Sequence, residues 1–241
     1  MLFLQENSLN ILAIVWFLCC FNGYMRYARA RNYRSNAASP SLASEMHQYR
    51  LQWMEKVLTR EMRVADAAII ANLEKSVSFF ASTTMLILAG LITILGSTEK
   101  AIDLISALPF AVVMQRAEWE IKIIILILLF AYAFFKFTWS LRQYGFVTIM
   151  IGSAPFLPDE IEGATEKQAW ARKMASMASM AANNFNIGLR SYYFSISMLT
   201  WFIHPLLFMF AASLVVNILF RREFKSSTLK ILTGKEDQHL S

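Results

Sequence analysis

The sequence predicts an all-α membrane protein, a four-transmembrane-helix bundle with amphipathic cytoplasmic helices between the spans. Three observations predict it. Of 241 residues, 56% are hydrophobic and only 17% are charged, whereas soluble domains carry about a quarter charged. Four runs are nearly free of charge, each long enough at about 1.5 Å per residue to reach across a hydrocarbon core of about 30 Å. The basic residues collect mainly between these runs, as membrane-flanking loops require.

The first run extends from about Leu9 to Met25, centred on ILAIVWFLCCF. No Lys or Arg precedes Arg26, so the basic segment of a cleavable signal is missing and the helix is expected to be retained. Cys19 and Cys20 are adjacent inside it and are the only cysteines. Two neighbours build neither a disulfide framework nor a metal-ligand spacing, so both are read as packing residues. The second run, Ser76 to Thr98, holds no charged residue. The third, about Ile121 to Leu141, has Lys122 near one end and Lys136 near the other. The fourth is uncharged from Ser191 to Phe220. It is longer than the core, and Pro205 predicts a kink in its middle.

Amphipathic pieces join these runs. Residues 26–75 open with RYARARNYR and continue as a helix over about 40–75. Pro40 suits its first helical position after Ser39, and Leu42, Met46, Tyr49, Trp53 and Val57 recur near helical spacing. Residues of about 100–115 are too short to cross and read as an interfacial helix broken at Pro109. Residues 142–190 hold a Pro-bounded turn, SAPFLPDE, and then an Ala- and Met-rich helix over about 165–188. Thr165 and Gln168 form a capping-box signature at its start. Ala175, Ser179 and Asn183 repeat every four residues, which favours close helix packing.

The basic residues set the expected orientation. Residues 26–75 hold nine Lys and Arg and residues 142–190 hold five, against two between the second and third runs. That bias places the first and third connections in the cytoplasm and both termini outside. Arg221, Arg222, Lys225, Lys230 and Lys235 run against it, because they follow the fourth run on what is then the outer face. A fifth crossing near 146–157 or 101–114 would reconcile them. The net charge of +6 is read as membrane-flanking bias, and nucleic acid is not an expected partner.

Several segments resemble the domain-of-unknown-function 599 family: SVSFFASTTMLILAG (76–90), FFKFTWSLRQYG (134–145), IGSAP (151–155), NFNIGLRSYYF (184–194), WFIHPLLFM (201–209) and RREF (221–224). That family comprises membrane proteins of bacteria and plants, and the proteobacterial branch is the closer match. The resemblance runs in order along nearly the whole chain. It implies a four-span protein of a bacterial inner membrane, and it supplies no activity, cofactor or catalytic residue. Ile187 departs from the pattern, in which a basic residue is common, and so weakens any phosphate- or headgroup-binding role for that turn.

Ionisable and hydroxylated residues at membrane depth are the candidate site. His204 lies near the middle of the fourth run, where an ionisable group is costly and by default functional. Pro205 cannot donate to the carbonyl of Trp201. That free acceptor, with Ser197 and Thr200, is expected to form a polar notch serving either as a proton relay or as interhelical glue. Lys136 either snorkels or pairs with Glu74; Lys122 either snorkels or pairs with Glu99 or Glu118. Ser82, Thr83 and Thr84 line a path or bond their own helix. Arg142 and Arg190 are candidate contacts to an anionic lipid headgroup, with positive-inside anchoring as the alternative. His47 with Arg50, Trp53 and Asp66 is a fainter constellation.

No nucleotide, metalloprotease, hydrolase or His–Cys metal motif is present, so no cofactor, metal or catalytic residue is expected. Two functions stay open. One is a membrane scaffold or accessory protein that recruits a cytoplasmic protein or lipid. The other is a channel or transporter for a small ion or solute, which four spans could enclose only as a homo-oligomer.

Overall fold

The computed structural model describes residues 2–33, 40–100, 102, 115–157 and 164–234, and among them all regular structure is helical. In chain order the helices are α1 (Leu2–Tyr33), α2 (Leu42–Leu58), α3 (Val64–Gly96), α4 (Arg116–Ser153), α5 (Ala164–Leu199), a short 3-10 turn (Thr200–Phe202), α6 (Pro205–Phe224) and α7 (Ser227–Leu232). Four segments are long and apolar enough to cross a membrane: Ser8–Arg31, Val64–Gly96, Arg116–Ser153 and Pro205–Leu232. Their outer faces carry large apolar side chains in the open, among them Leu86, Phe79, Leu128 and Phe210. Such faces suit lipid rather than water.

The first and third runs lie inside α1 and α4, and the second lies in α3 but for Ser97 and Thr98, which follow its end at Gly96. Four local expectations are corrected. The uncharged run 191–220 is not one kinked helix; it breaks at residues 200–204 into the end of α5 and a separate α6. The helix expected over 40–75 is likewise interrupted, between α2 and α3. Pro40 precedes the cap of α2 instead of opening the helix. Ser41 is the N-cap, its hydroxyl accepting from the Ser44 N–H at 3.1 Å while the Ser44 hydroxyl accepts from the Ser41 N–H at 2.9 Å. Serine here supplies the reciprocal acceptor that Glu or Gln usually gives. Thr165 lies inside α5, and Gln168 accepts from Arg172 at 3.0 Å rather than closing a capping box. The helix expected around Pro109 falls outside the described residues, as does the Pro158 end of the SAPFLPDE turn.

The chain divides into two compact units. The first comprises residues 1–30, 83–134 and 188–222, and the second residues 31–82, 135–187 and 223–241.

An aromatic ladder fills the first unit. Phe17 of α1 meets Phe194 of α5 edge-on at 5.8 Å and Phe208 of α6 at 5.1 Å, and Phe21 meets Phe194 at 5.2 Å. Aromatic pairs of this geometry contribute about 1 kcal/mol each beyond their area. The pairings also fix directions. Along α1, Asn10, Phe17 and Tyr24 meet Trp201, Phe194 and Arg190 in turn, so α5 runs opposite to α1. Phe17 and Tyr27 meet Phe208 and Phe220, so α6 runs parallel to α1. Arg222 donates back to the Tyr193 hydroxyl at 2.7 Å. The end of α5 and α6 are therefore the two limbs of a helical hairpin closed at residues 200–204.

The second unit is built on small residues and one arginine. Ala171, Met174, Ala175, Ala178 and Ala181 of α5 are buried, and the Ser140 hydroxyl of α4 donates to the Ala181 carbonyl at 2.7 Å. Small side chains let helix backbones approach this closely. Arg63, in the turn between α2 and α3, donates to the carbonyls of Val57, Ile151, Ala154 and Pro155. It thereby serves the Ile151 carbonyl at the C-terminal end of α4 and the two carbonyls of Ala154 and Pro155 just beyond it. The Leu157 N–H donates to Leu58 O at 2.9 Å and completes this seam. Trp53 and Arg60 converge on one oxygen of the buried Asp66 at 2.7 and 2.6 Å. After α6 the chain turns at the N-cap Ser226 into α7, whose last carbonyls meet α2: the Tyr49 hydroxyl donates to Leu232 O at 3.5 Å. Gly234 ends α7 at φ 66°, the left-handed position that favours glycine after a helix.

Removing the Arg63 guanidinium should be costly, since a hydrogen bond to a charged group contributes about 1.5–3 kcal/mol and the carbonyls of Ile151, Ala154 and Pro155 lose this donor together. Arg63→Met is expected to lower thermal stability in detergent by about 3 kcal/mol or more, and Arg63→Lys should not restore it, because an ammonium lacks the planar fork. Wild-type melting of either variant would refute the clamp.

Candidate functional site

The polar centre of the first unit starts from a proline. Pro205 opens α6, where its missing N–H costs nothing. His204 is the residue before it, and its ring Nδ1 accepts from the Leu206 N–H at 3.1 Å while its carbonyl accepts from the Phe208 N–H at 3.1 Å. These are the two bonds of an N-cap. His204 is exposed at the hairpin tip, so it does not sit mid-helix as the sequence suggested.

Proline leaves the carbonyl four residues earlier without its helical donor, and that acceptor is Trp201 O. Lys122 of α4 fills the place, its ammonium donating at 3.2 Å. Lys122 is 2% exposed. Its charge is met by Glu118 one turn earlier at 2.9 Å and by the face of the Trp201 ring at 5.0 Å. The order Glu then Lys at four-residue spacing is the favourable one on a helix, and an ammonium over an indole face gains further attraction. Asn10 of α1 closes the circuit: its amide donates to Glu118 Oε1 at 2.7 Å and accepts from the Trp201 indole N–H at 2.8 Å. Four side chains and one carbonyl thus satisfy one another across α1, α4 and the hairpin turn.

The residues singled out from sequence are scattered. The buried Ser197 hydroxyl donates to Phe194 O at 2.7 Å, and the Thr200 hydroxyl donates to Ser197 O at 2.7 Å. Both therefore serve carbonyls at the end of α5, and neither bonds the His204 ring. Lys136 belongs to the second unit, where it reaches Asn184 Oδ1 at 3.5 Å; Asn184 in turn donates to the buried Gln143 at 2.8 Å. Arg142 is exposed and lies over Phe146 at 5.6 Å. Arg190 is 5% exposed with its guanidinium over Tyr24 at 5.4 Å, a buried place for a headgroup ligand. Among the span-two hydroxyls, Thr84 is fully buried and bonds the Tyr192 hydroxyl at 2.6 Å. Of the two carboxylates suggested for Lys122, Glu118 is the partner, while Glu99 pairs with Arg116 at 3.0 Å. Asn10 went unnoticed, because a single amide at the edge of an apolar run carries no pattern.

Breaking a buried pair from one side costs about 3–5 kcal/mol, because the abandoned charge stays desolvated. Both single variants are expected to destabilise: Glu118→Gln leaves the buried ammonium of Lys122 without its carboxylate, and Lys122→Met leaves Trp201 O without its donor. The double variant should lie closer to wild type than the sum of the singles. Additive losses in a double-mutant cycle, read by thermal melting in detergent, would contradict the coupling.

No curated protein and no solved structure matches the chain. A family model described as protein of unknown function, DUF599, matches residues 12–228. The apolar helices, the order of the motifs along them and that match over most of the chain agree, and the chain belongs to the DUF599 family.

Proposed function

We propose that this protein is a scaffold of the bacterial inner membrane, non-enzymatic, with its N-terminus outside and its two basic connections and C-terminal tail in the cytoplasm. The observation that carries this is the make-up of the second unit. It gathers α2 of the first connection, the start of α5 from the third connection, and the tail after α6 into one compact body. Tyr49 bonds Leu232 there, and Arg31 lies over Phe224 at 5.3 Å. The connecting segments of that body, which also holds parts of α3 and α4, are read as sharing a side of the membrane.

The hairpin supplies the passage that a shared side requires. From residue 188 the end of α5 accompanies α6 as its antiparallel limb, so the chain goes out and returns between the third connection and the tail. Every basic cluster then falls on the cytoplasmic side, including Arg221, Arg222, Lys225 and Lys230, in accord with the positive-inside bias. The helical cytoplasmic body is the surface on which a cytoplasmic protein would be recruited. A conduit is the less supported reading, because the polar groups described at membrane depth are spent on one another: Lys122 on Glu118 and Trp201, Thr84 on Tyr192.

Reporters test the placement and flux tests the role. Fusions after Ser241 and inside the first connection are both expected to fluoresce in the cytoplasm and to lack phosphatase activity. His204→Cys, in a background with Cys19 and Cys20 changed to Ser, should react with an impermeant maleimide from outside. A tail labelled from the same side as position 204 sinks the topology. Ion or solute flux from reconstituted protein, lost in Lys122→Met, would sink the scaffold reading.

A further inference from the structure

Within the second unit one cation has a one-sided environment. Arg50 of α2 is half-buried, and its guanidinium donates to Ser179 Oγ of α5 at 3.4 Å. No carboxylate pairs with it among the described residues, where Arg60, Arg116 and Lys122 each have one. A partly desolvated guanidinium normally recruits a planar acid to its fork. Beside it, His47 Nδ1 lies 2.9 Å from the same Ser179 oxygen. The arginine can only donate to that hydroxyl, while the bond between the hydroxyl and Nδ1 runs in either direction according to the imidazole tautomer. Where the serine donates, and whenever the ring is protonated, Nε2 carries an N–H. The remaining N–H groups of the guanidinium and that imidazole N–H then lie side by side, with no carboxylate paired to Arg50 among the described residues.

We propose that His47, Arg50 and Ser179 form a binding site for a phosphate monoester group at the junction of α2 and α5. The same chemistry is carried by inorganic phosphate and by a phosphatidic acid headgroup. The site is separate from the Lys122 network, and it does not depend on the scaffold reading.

Binding at this site is linked to a proton. Burial first, and then the Arg50 cation, hold the His47 imidazolium below its ordinary 6.5. Burial likewise lowers Arg50, and Tyr144 of α4 offsets part of that. Arg50 and Tyr144 are the titratable groups acting on this pair among the described residues. An anion placed on Arg50 cancels the repulsion that keeps His47 neutral, so the His47 pKa must rise when the site fills. By linkage, the part of the affinity carried by His47 rises as pH falls, by up to about tenfold for each unit of that rise, against the loss of charge as the monoester is protonated below its second pKa of about 6.

The test uses full-length protein labelled with 15N-histidine in nanodiscs, with the three histidine resonances assigned by substitution. In phosphatidylcholine discs, titrating inorganic phosphate to millimolar levels is expected to move the His47 pKa upward. A rise that needs discs containing phosphatidic acid, and is not produced by inorganic phosphate, assigns the group to a lipid headgroup. Arg50→Gln should remove the response from either source, whereas Arg172→Gln, an exposed cation on α5, should keep it. Should Arg50→Gln misfold, His47→Gln serves instead: it retains an acceptor for Ser179, and phosphate affinity should remain but lose its rise toward low pH, keeping only the dependence set by the phosphate's own ionisation. An unmoved His47 pKa with both phosphate sources overturns the site, and so does a response that survives Arg50→Gln.

Discussion

A buried carbonyl without a donor is costly, because no water is at hand to repair it. Pro205 creates such a fault at Trp201, and the first unit is organised around its repair. A lysine long enough to reach the carbonyl must itself be neutralised, which brings Glu118 into place one turn earlier on the same helix. The carboxylate has capacity for a second donor and takes Asn10, whose remaining oxygen holds the Trp201 indole. Each member answers a need created by the one before it. Because the members come from α1, α4 and the hairpin turn, satisfying one carbonyl also sets the depth at which three segments meet.

Much of the framework was legible in the sequence. Hydropathy and length located the helices that became α1, α3 and α4, since an uncharged run of that length has few other ways to satisfy its backbone. The ends were less legible. Helices α3 and α4 continue past their apolar runs through Glu74, Lys75 and Arg142, where packing in the second unit replaces lipid as the reason for staying helical. The fourth run was read as a single kinked helix because nothing polar interrupts it except His204. What breaks it is a local preference: an imidazole can cap the helix that a proline begins, so the pair starts a new helix more readily than it bends an old one.

The candidate site was half visible. The loss of the Trp201 donor follows from Pro205 alone, so the acceptor could be named without a structure. Its donor could not, because Lys122 lies 79 residues earlier and only the fold puts the two at the same depth. Ser197 and Thr200 looked like partners for His204 on spacing, yet hydroxyls near a helix end bond their own carbonyls more easily than a neighbour's ring. Arg190 is similar. Its charge sits at a membrane mouth, where anchoring or lipid contact is the natural reading, and its guanidinium lies over Tyr24.

The helices differ in how much length they have to spare. At 33 and 38 residues, α3 and α4 extend to about 50 and 57 Å, well beyond one hydrocarbon thickness. Helix α6 has 20 residues, about 30 Å, with a capped turn at one end and two arginines at the other. The long helices reach past the hydrocarbon at both ends, and α6 has no such margin. Bilayer thickness therefore acts on this protein chiefly through its last helix. A thicker membrane would draw Arg221, Arg222 or the His204 cap toward hydrocarbon, so the hairpin also serves as a gauge that suits the chain to bilayers of ordinary or lesser thickness.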